Sequence, residues 1–213
     1  VLGTAPSGYI GGYDGETIVG AQDDDLFQAN LFYSAQVMEP KLAEVELIRE
    51  SFKQRTGRDL EMVKYEAGPG YAIPTANRPF IEEAERVGKS LALGIATLDN
   101  FMFVMAHNGN ANYFQARVGP NWASHNLKFE PQPTWLALLL RNKYCEGRLL
   151  KVEPVEVERV DLPERKSVGL GNDGRPSDKI IEARAGVPLT QLYAFADGTR
   201  YSFLALNRSF TQA

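Results

Sequence analysis

Residues 60–71 read Leu60-Glu61-Met62-Val63-Lys64-Tyr65-Glu66-Ala67-Gly68-Pro69-Gly70-Tyr71, a short run that ends on a carboxylate and then on glycine and proline. Strands run about 5–6 residues, and Gly and Pro are the strongest local punctuation. The pattern therefore predicts a strand that delivers Glu66 into a sharp turn. An acid at the last residue of a buried strand is costly to keep there unless something pairs or uses it. In parallel α/β architectures, ligands sit and chemistry happens at the C-terminal ends of strands. Glu66 is the first candidate for function; the alternative for it is a surface glutamate opening a loop.

Outward from this strand the chain repeats one unit. Upstream, Pro40 suits the first turn of a helix, Leu42, Val45, Ile48 and Phe52 fall on one stripe at helical spacing, and Gly57 closes it. A shorter helix is expected over Leu26–Ser34. The acids Asp23, Asp24 and Asp25 stand before it, as carboxylates favour a helix N-terminus. Residues 1–13 begin as a short apolar strand and end in glycines and tyrosines. Downstream, Pro79 opens a helix with Phe80, Ala84, Val87 and Leu91 on one face. Asp99–Ala106 (DNFMFVMA) is a continuous apolar run, read here as a strand covered on both faces. It ends in His107, Asn108, Asn110 and Asn112, and a long loop with Trp122 and His125 leads to a third helix over Trp135–Glu146, with Trp135 on its core stripe.

Residues 1–147 thus read as strand, helix, strand, helix, strand, helix, a parallel α/β arrangement with right-handed crossovers. No Gly-rich turn joins a first strand to a helix as a nucleotide fold requires. The expected fold is α/β, the C-terminal portion, about strands 6–8, of a (β/α)8 barrel. After Gly147 the character changes: Leu149–Asp161 alternates valine with glutamate as a half-buried strand does, and a Gly, Pro and charge-rich connector spans Leu162–Lys179. Leu189–Phe195 and Tyr201–Asn207 flank Asp197-Gly198, a hairpin signal. Residues 148–213 are expected to be part of an antiparallel, sandwich-like β domain.

Composition excludes several classes. The 213 residues are 44% hydrophobic and 23% charged, as in an ordinary globular protein. A net charge of -4 offers no basic stripe for nucleic acid. No apolar run approaches the roughly 20 residues of a membrane helix. One cysteine, Cys145, permits no internal disulfide, and with only His107 and His125 beside it a structural zinc site is not expected. No cofactor is expected. The chain opens on Val1-Leu2-Gly3-Thr4-Ala5 and is expected to be a processed or partial chain.

The order of elements resembles the C-terminal part of a clan A glycoside hydrolase, a (β/α)8 barrel followed by a β-sandwich. That resemblance implies a catalytic nucleophile at the end of the seventh strand, the place Glu66 occupies in Lys64-Tyr65-Glu66-Ala67-Gly68. It also implies a tyrosine near the end of the sixth strand that hydrogen-bonds the nucleophile. Tyr9, in Ser7-Gly8-Tyr9-Ile10-Gly11-Gly12, is the better match and Tyr13 the second. The eighth strand is expected at Phe101–Ala106. The family's acid/base Glu lies at the end of the fourth strand, so the resemblance leaves it to an upstream segment. Asp14 or Glu16 would be a substitute only if their loop reached the site.

On this reading the partner is carbohydrate. Tyr71, Tyr113 and Trp122 offer flat faces to sugar rings, Asn77, Asn108 and Asn110 offer paired donors and acceptors, and His107 a further donor. The rest of the barrel would come from the same polypeptide or another subunit, at an extracellular or cell-surface location. The competing reading is a non-catalytic surface or glycan-binding protein that keeps a barrel-derived fold without its acid.

Overall fold

Strand and helix alternate from β1 (Gly3–Thr4) through α1 (Asp23–Leu31), a π-helical turn (Ser34–Met38), α2 (Glu39–Thr56), β2 (Glu61–Ala67), α3 (Leu91–Ala106), β3 (Gly109–Phe114) and α4 (Pro133–Tyr144). The computed structural model describes residues 3–4, 10, 23–68, 86–114, 118, 123–166 and 180–209. Helix α2 carries Pro40 in its first turn and ends on Gly57 in the left-handed conformation, φ 69°, whose N–H closes on Lys53 O. Helix α4 likewise opens on proline. The predicted stripe of α2 is only partly covered: Leu42 is buried, whereas Ile48 is 54% exposed.

The parallel sheet has the order β1-β2-β3, each strand beside its neighbour in the chain. Gly3 and Thr4 pair with Glu61 and Met62, and Met62, Val63, Lys64 and Ala67 pair with Gly109, Ala111, Asn112 and Phe114. The third strand is therefore Gly109–Phe114 and not Phe101–Ala106, which lies inside α3. Periodicity cannot separate a buried helix from a doubly covered strand. The decisive features are length and capping. Ser90 Oγ accepts from Leu93 N at 3.3 Å, and sixteen residues without an internal proline propagate from that cap. Leu91 accordingly opens α3 instead of closing the helix before it.

Beyond α4 the strands are β4 (Arg148–Leu150), β5 (Arg159–Leu162), β6 (Arg165–Lys166), β7 (Ile180–Ile181), β8 (Arg184–Pro188), β9 (Thr190–Asp197) and β10 (Arg200–Asn207). The expected single strand over Leu149–Asp161 is two, because residues 151–158 leave the ladder around Pro154 and present Val155 to solvent. The hairpin is where its Asp-Gly signal set it, with Arg200 opposite Asp197 and Gly198 at φ 58°. β9 also pairs with β4, while β5–β8 and β6–β7 form two further antiparallel pairs.

Helix α3 is the shared centre. Leu93, Ala96 and Val104 pack with Met38, Leu42 and Met62, while Leu98 and Met102 pack with Leu138, Tyr193, Phe195 and Leu206. Its Gly94 lies where a Cβ would meet the Pro133 backbone at 2.9 Å, which sets the close approach of α3 and α4. Trp135 is not core as its stripe position suggested. It is 40% exposed and stands against His125, ring centroids 5.0 Å apart.

One charge pair is locked in this interior. Arg208 Nη2 donates to Asp99 Oδ2 at 2.6 Å with both side chains fully buried, and Tyr193 Oη donates to Asp99 Oδ1 at 2.7 Å. Arg208 Nη1 donates to Pro188 O at 3.2 Å, and the guanidinium lies over the Phe32 and Phe103 rings. Removing one member of such a pair strands the other's charge. Arg208→Met is expected to lose about 3–5 kcal/mol in chemical denaturation, and adding Asp99→Asn to recover much of it. Equal stability of Arg208→Met and wild type would refute the role given to the pair.

Candidate functional site

The site is built at the C-terminal end of the parallel sheet. β2 is its middle strand, and Glu66 is the last residue but one of that strand. Gly68 follows at φ 135°, a conformation open only to glycine without strain. Its carbonyl accepts from Ile10 N at 3.0 Å, so the segment after β1 closes beside the end of β2. Tyr9 precedes Ile10 directly in the chain, but Tyr9, Tyr13, Tyr71 and Trp122 lie outside the described residues, as do Asp14, Glu16 and Asn77.

The ladder is irregular just where Glu66 stands. From Lys64 to Ala67 β2 advances three residues while β3 advances two, from Asn112 to Phe114. Such a bulge inserts an unpaired residue and breaks the two-residue alternation. Before it, Met62 and Lys64 are both fully buried against the helices: Met62 among Met38, Leu42 and Leu93, Lys64 with its Nζ donating to Asn100 Oδ1 on α3. The alternation that carries these two to the helix side cannot be extended to Glu66.

The sequence reading missed Lys64. The available signal was a lysine at the centre of a strand, flanked by Met62, Val63 and Tyr65. Burial, and secondarily the charge of Lys41, pull its amine from an ordinary 10.5 down to about 7. The Nδ2 of its partner Asn100 is buried without a hydrogen-bond partner among the described residues.

His107 and Asn108 are elsewhere. They form the turn that enters β3, so they stand at the N-terminal edge of the sheet, about 16 Å along the strand from the Glu66 end. Asn108 takes φ 60°, a left-handed position Asn tolerates, and its carbonyl accepts from Arg49 Nη1 at 3.3 Å. His107 Nδ1 lies 3.2 Å from Glu46 Oε1. Asn110 is the second residue of β3, nearer this edge than the other. The displacement follows from the helix–strand error: a strand at 101–106 would have ended at His107, whereas the true strand begins after it.

His107 instead lines a cleft of about 400 Å³ between the helices and the C-terminal strands, with Glu39, Phe103, Arg159, Arg184 and Tyr193. No group of three or more His, Cys, Asp or Glu among the described residues is arranged to hold a metal, and no helix among them is long and apolar enough to cross a membrane. No family model matches the chain, and no curated protein matches it.

The Lys64 geometry has a pH signature. Its folded pKa is lowered, so below about pH 7 both states carry the proton and the fold bears a buried ammonium. Between about 7 and 10.5 the unfolded chain binds one proton more, and stability rises with pH, by on the order of 4 kcal/mol in all. Lys64→Met is expected to abolish that rise in urea midpoints taken across the window. An unchanged slope in the variant would remove Lys64 as its source.

Proposed function

We propose that this chain supplies the nucleophile of a retaining glycoside hydrolase acting on a poly- or oligosaccharide, with Glu66 as the attacking carboxylate. The observation that carries the reading is the position of Glu66 beside a bulge, at the C-terminal end of the middle strand in a sequentially ordered parallel sheet. Sequential order is what a segment of a (β/α)8 barrel has, and strand ends at that face are where such barrels do chemistry. The Ile10–Gly68 hydrogen bond supports the companion role of Tyr9, because it holds Ile10, the next residue in the chain, at the same strand end.

In the first step a Glu66 oxygen forms a bond to the anomeric carbon while the bond to the leaving oxygen breaks. That oxygen takes a proton from a second carboxyl group about 5–5.5 Å from the first. Water then displaces the glycosyl group from Glu66, losing its proton to the second carboxylate. The second carboxyl group belongs to a strand other than these three, from the same polypeptide or a partner subunit. Tyr9 donates to the ionised form of Glu66 and keeps it a nucleophile. Tyr13, Tyr71 and Trp122 are the proposed sugar contacts; Asn110, near the opposite edge of the sheet, is not among them. His107 and Asn108 have no part in the mechanism, being at the other edge of the sheet.

The test is hydrolysis of a panel of aryl glycosides by the polypeptide with its barrel complete. Glu66→Gln is expected to lower kcat at least about a thousandfold with the circular dichroism spectrum unchanged. Full activity in that variant sinks the assignment. Sugar binding without hydrolysis by the wild type favours the non-catalytic glycan-binding reading.

A further inference from the structure

The cleft at the opposite edge of the sheet is chemically distinct from the Glu66 end. One wall is Glu39 of α2 with Phe103 and His107 at the end of α3; the other is Arg159 of β5, Arg184 of β8 and Tyr193 of β9. Arg208 also lines the cleft, but Asp99 neutralises its charge, which leaves Arg159 as the cation in excess. Cations outnumber acids in this lining, and the two arginines at the opening are unequally engaged. Arg184 Nη2 donates to Glu39 Oε2 at 2.5 Å, so its charge is shared. Arg159 donates only to the Gly186 carbonyl, at 2.7 Å, and has no carboxylate partner among the described residues. Among the described residues the rest of its planar fork is unused, and that fork matches a carboxylate in bidentate fashion.

From this charge balance we infer that the cleft binds a small monocarboxylate with an apolar body, the carboxylate on Arg159 and the body against Phe103 and Tyr193. The volume suits a ligand of one ring, and Phe103 and Tyr193 offer it apolar faces. Glu39 decides the charge of the ligand. A dianion such as a phosphate monoester would set its second charge against Glu39, whereas a monocarboxylate needs only the one free fork. The site is independent of hydrolysis at Glu66, and its occupant would bridge helices and C-terminal strands.

Titration calorimetry of the full chain with benzoate, benzamide and phenyl phosphate tests this. Benzoate should bind saturably, and the neutral benzamide at least about tenfold more weakly. Arg159→Gln should weaken benzoate about tenfold, while Glu39→Gln should tighten it, because a repelling charge leaves and Arg184 is released. Arg159 is exposed, so its variants should keep the wild-type circular dichroism spectrum. Should the glutamine variant not fold, Arg159→Lys keeps the charge without the fork and should bind with intermediate strength. Benzoate and benzamide binding alike, insensitivity to both the Arg159 and Glu39 changes, or tighter binding of phenyl phosphate than of benzoate would each overturn the inference.

Discussion

A carboxylate with no exposure to water must keep a cation beside it, and the structure meets that demand for Asp99 from three separate strands' worth of chain. Arg208, just past β10, neutralises it; Tyr193 of β9 donates to its other oxygen; Pro188 of β8 holds the arginine. The net contribution of such a pair to stability is modest, since both ions give up their water. Its consequence is geometric. Any other docking of α3 on the C-terminal strands leaves a bare charge inside, so the helix and the hairpin meet in one register. The same environment, burial first and the Asp99 charge second, drives the Tyr193 phenol well above its usual range and keeps it a donor.

The next residue on α3 faces the other way. A helix turns about 100° per residue, so consecutive polar side chains leave it in different directions. Asn100 meets Lys64 of β2 as Asp99 meets the hairpin network. A single apolar helix therefore fastens the parallel sheet to the antiparallel strands through two polar contacts of different kinds. One is an ion pair. The other joins an amide to an amine that burial holds near neutrality. Two residues beyond that amine, within the bulge, stands Glu66, so its strand is anchored to α3 from beneath.

The two ends of the parallel sheet have different chemistry. At the C-terminal end the chain turns through Gly68, whose carbonyl accepts from Ile10 N. At the N-terminal end, His107 and Asn108 lie near Glu46 and Arg49, and the cleft beyond them is lined by arginines. The length of β3, about 16 Å, separates the two ends.

Much of the architecture was legible in the sequence. Pro40 and Gly57 bounded α2, the run before Gly68-Pro69-Gly70 was a strand, and Asp197-Gly198 made its hairpin, because caps and turns depend on local backbone chemistry. Glu66 at a strand end was legible for the same reason. What the sequence alone left undecided was anything that depends on what covers a residue. By periodicity the apolar run 99–106 suits a buried strand and a buried helix equally; the Ser90 cap and the sixteen-residue length decide for α3, and packing against the sheet and the hairpin covers it on both sides. That decision moved His107 and Asn108 from one edge of the sheet to the other. Lys64 and the Asp99–Arg208 pair are ordinary charged residues in the sequence. They become buried groups only when segments more than thirty residues apart are brought together, since desolvation is a property of the assembled core.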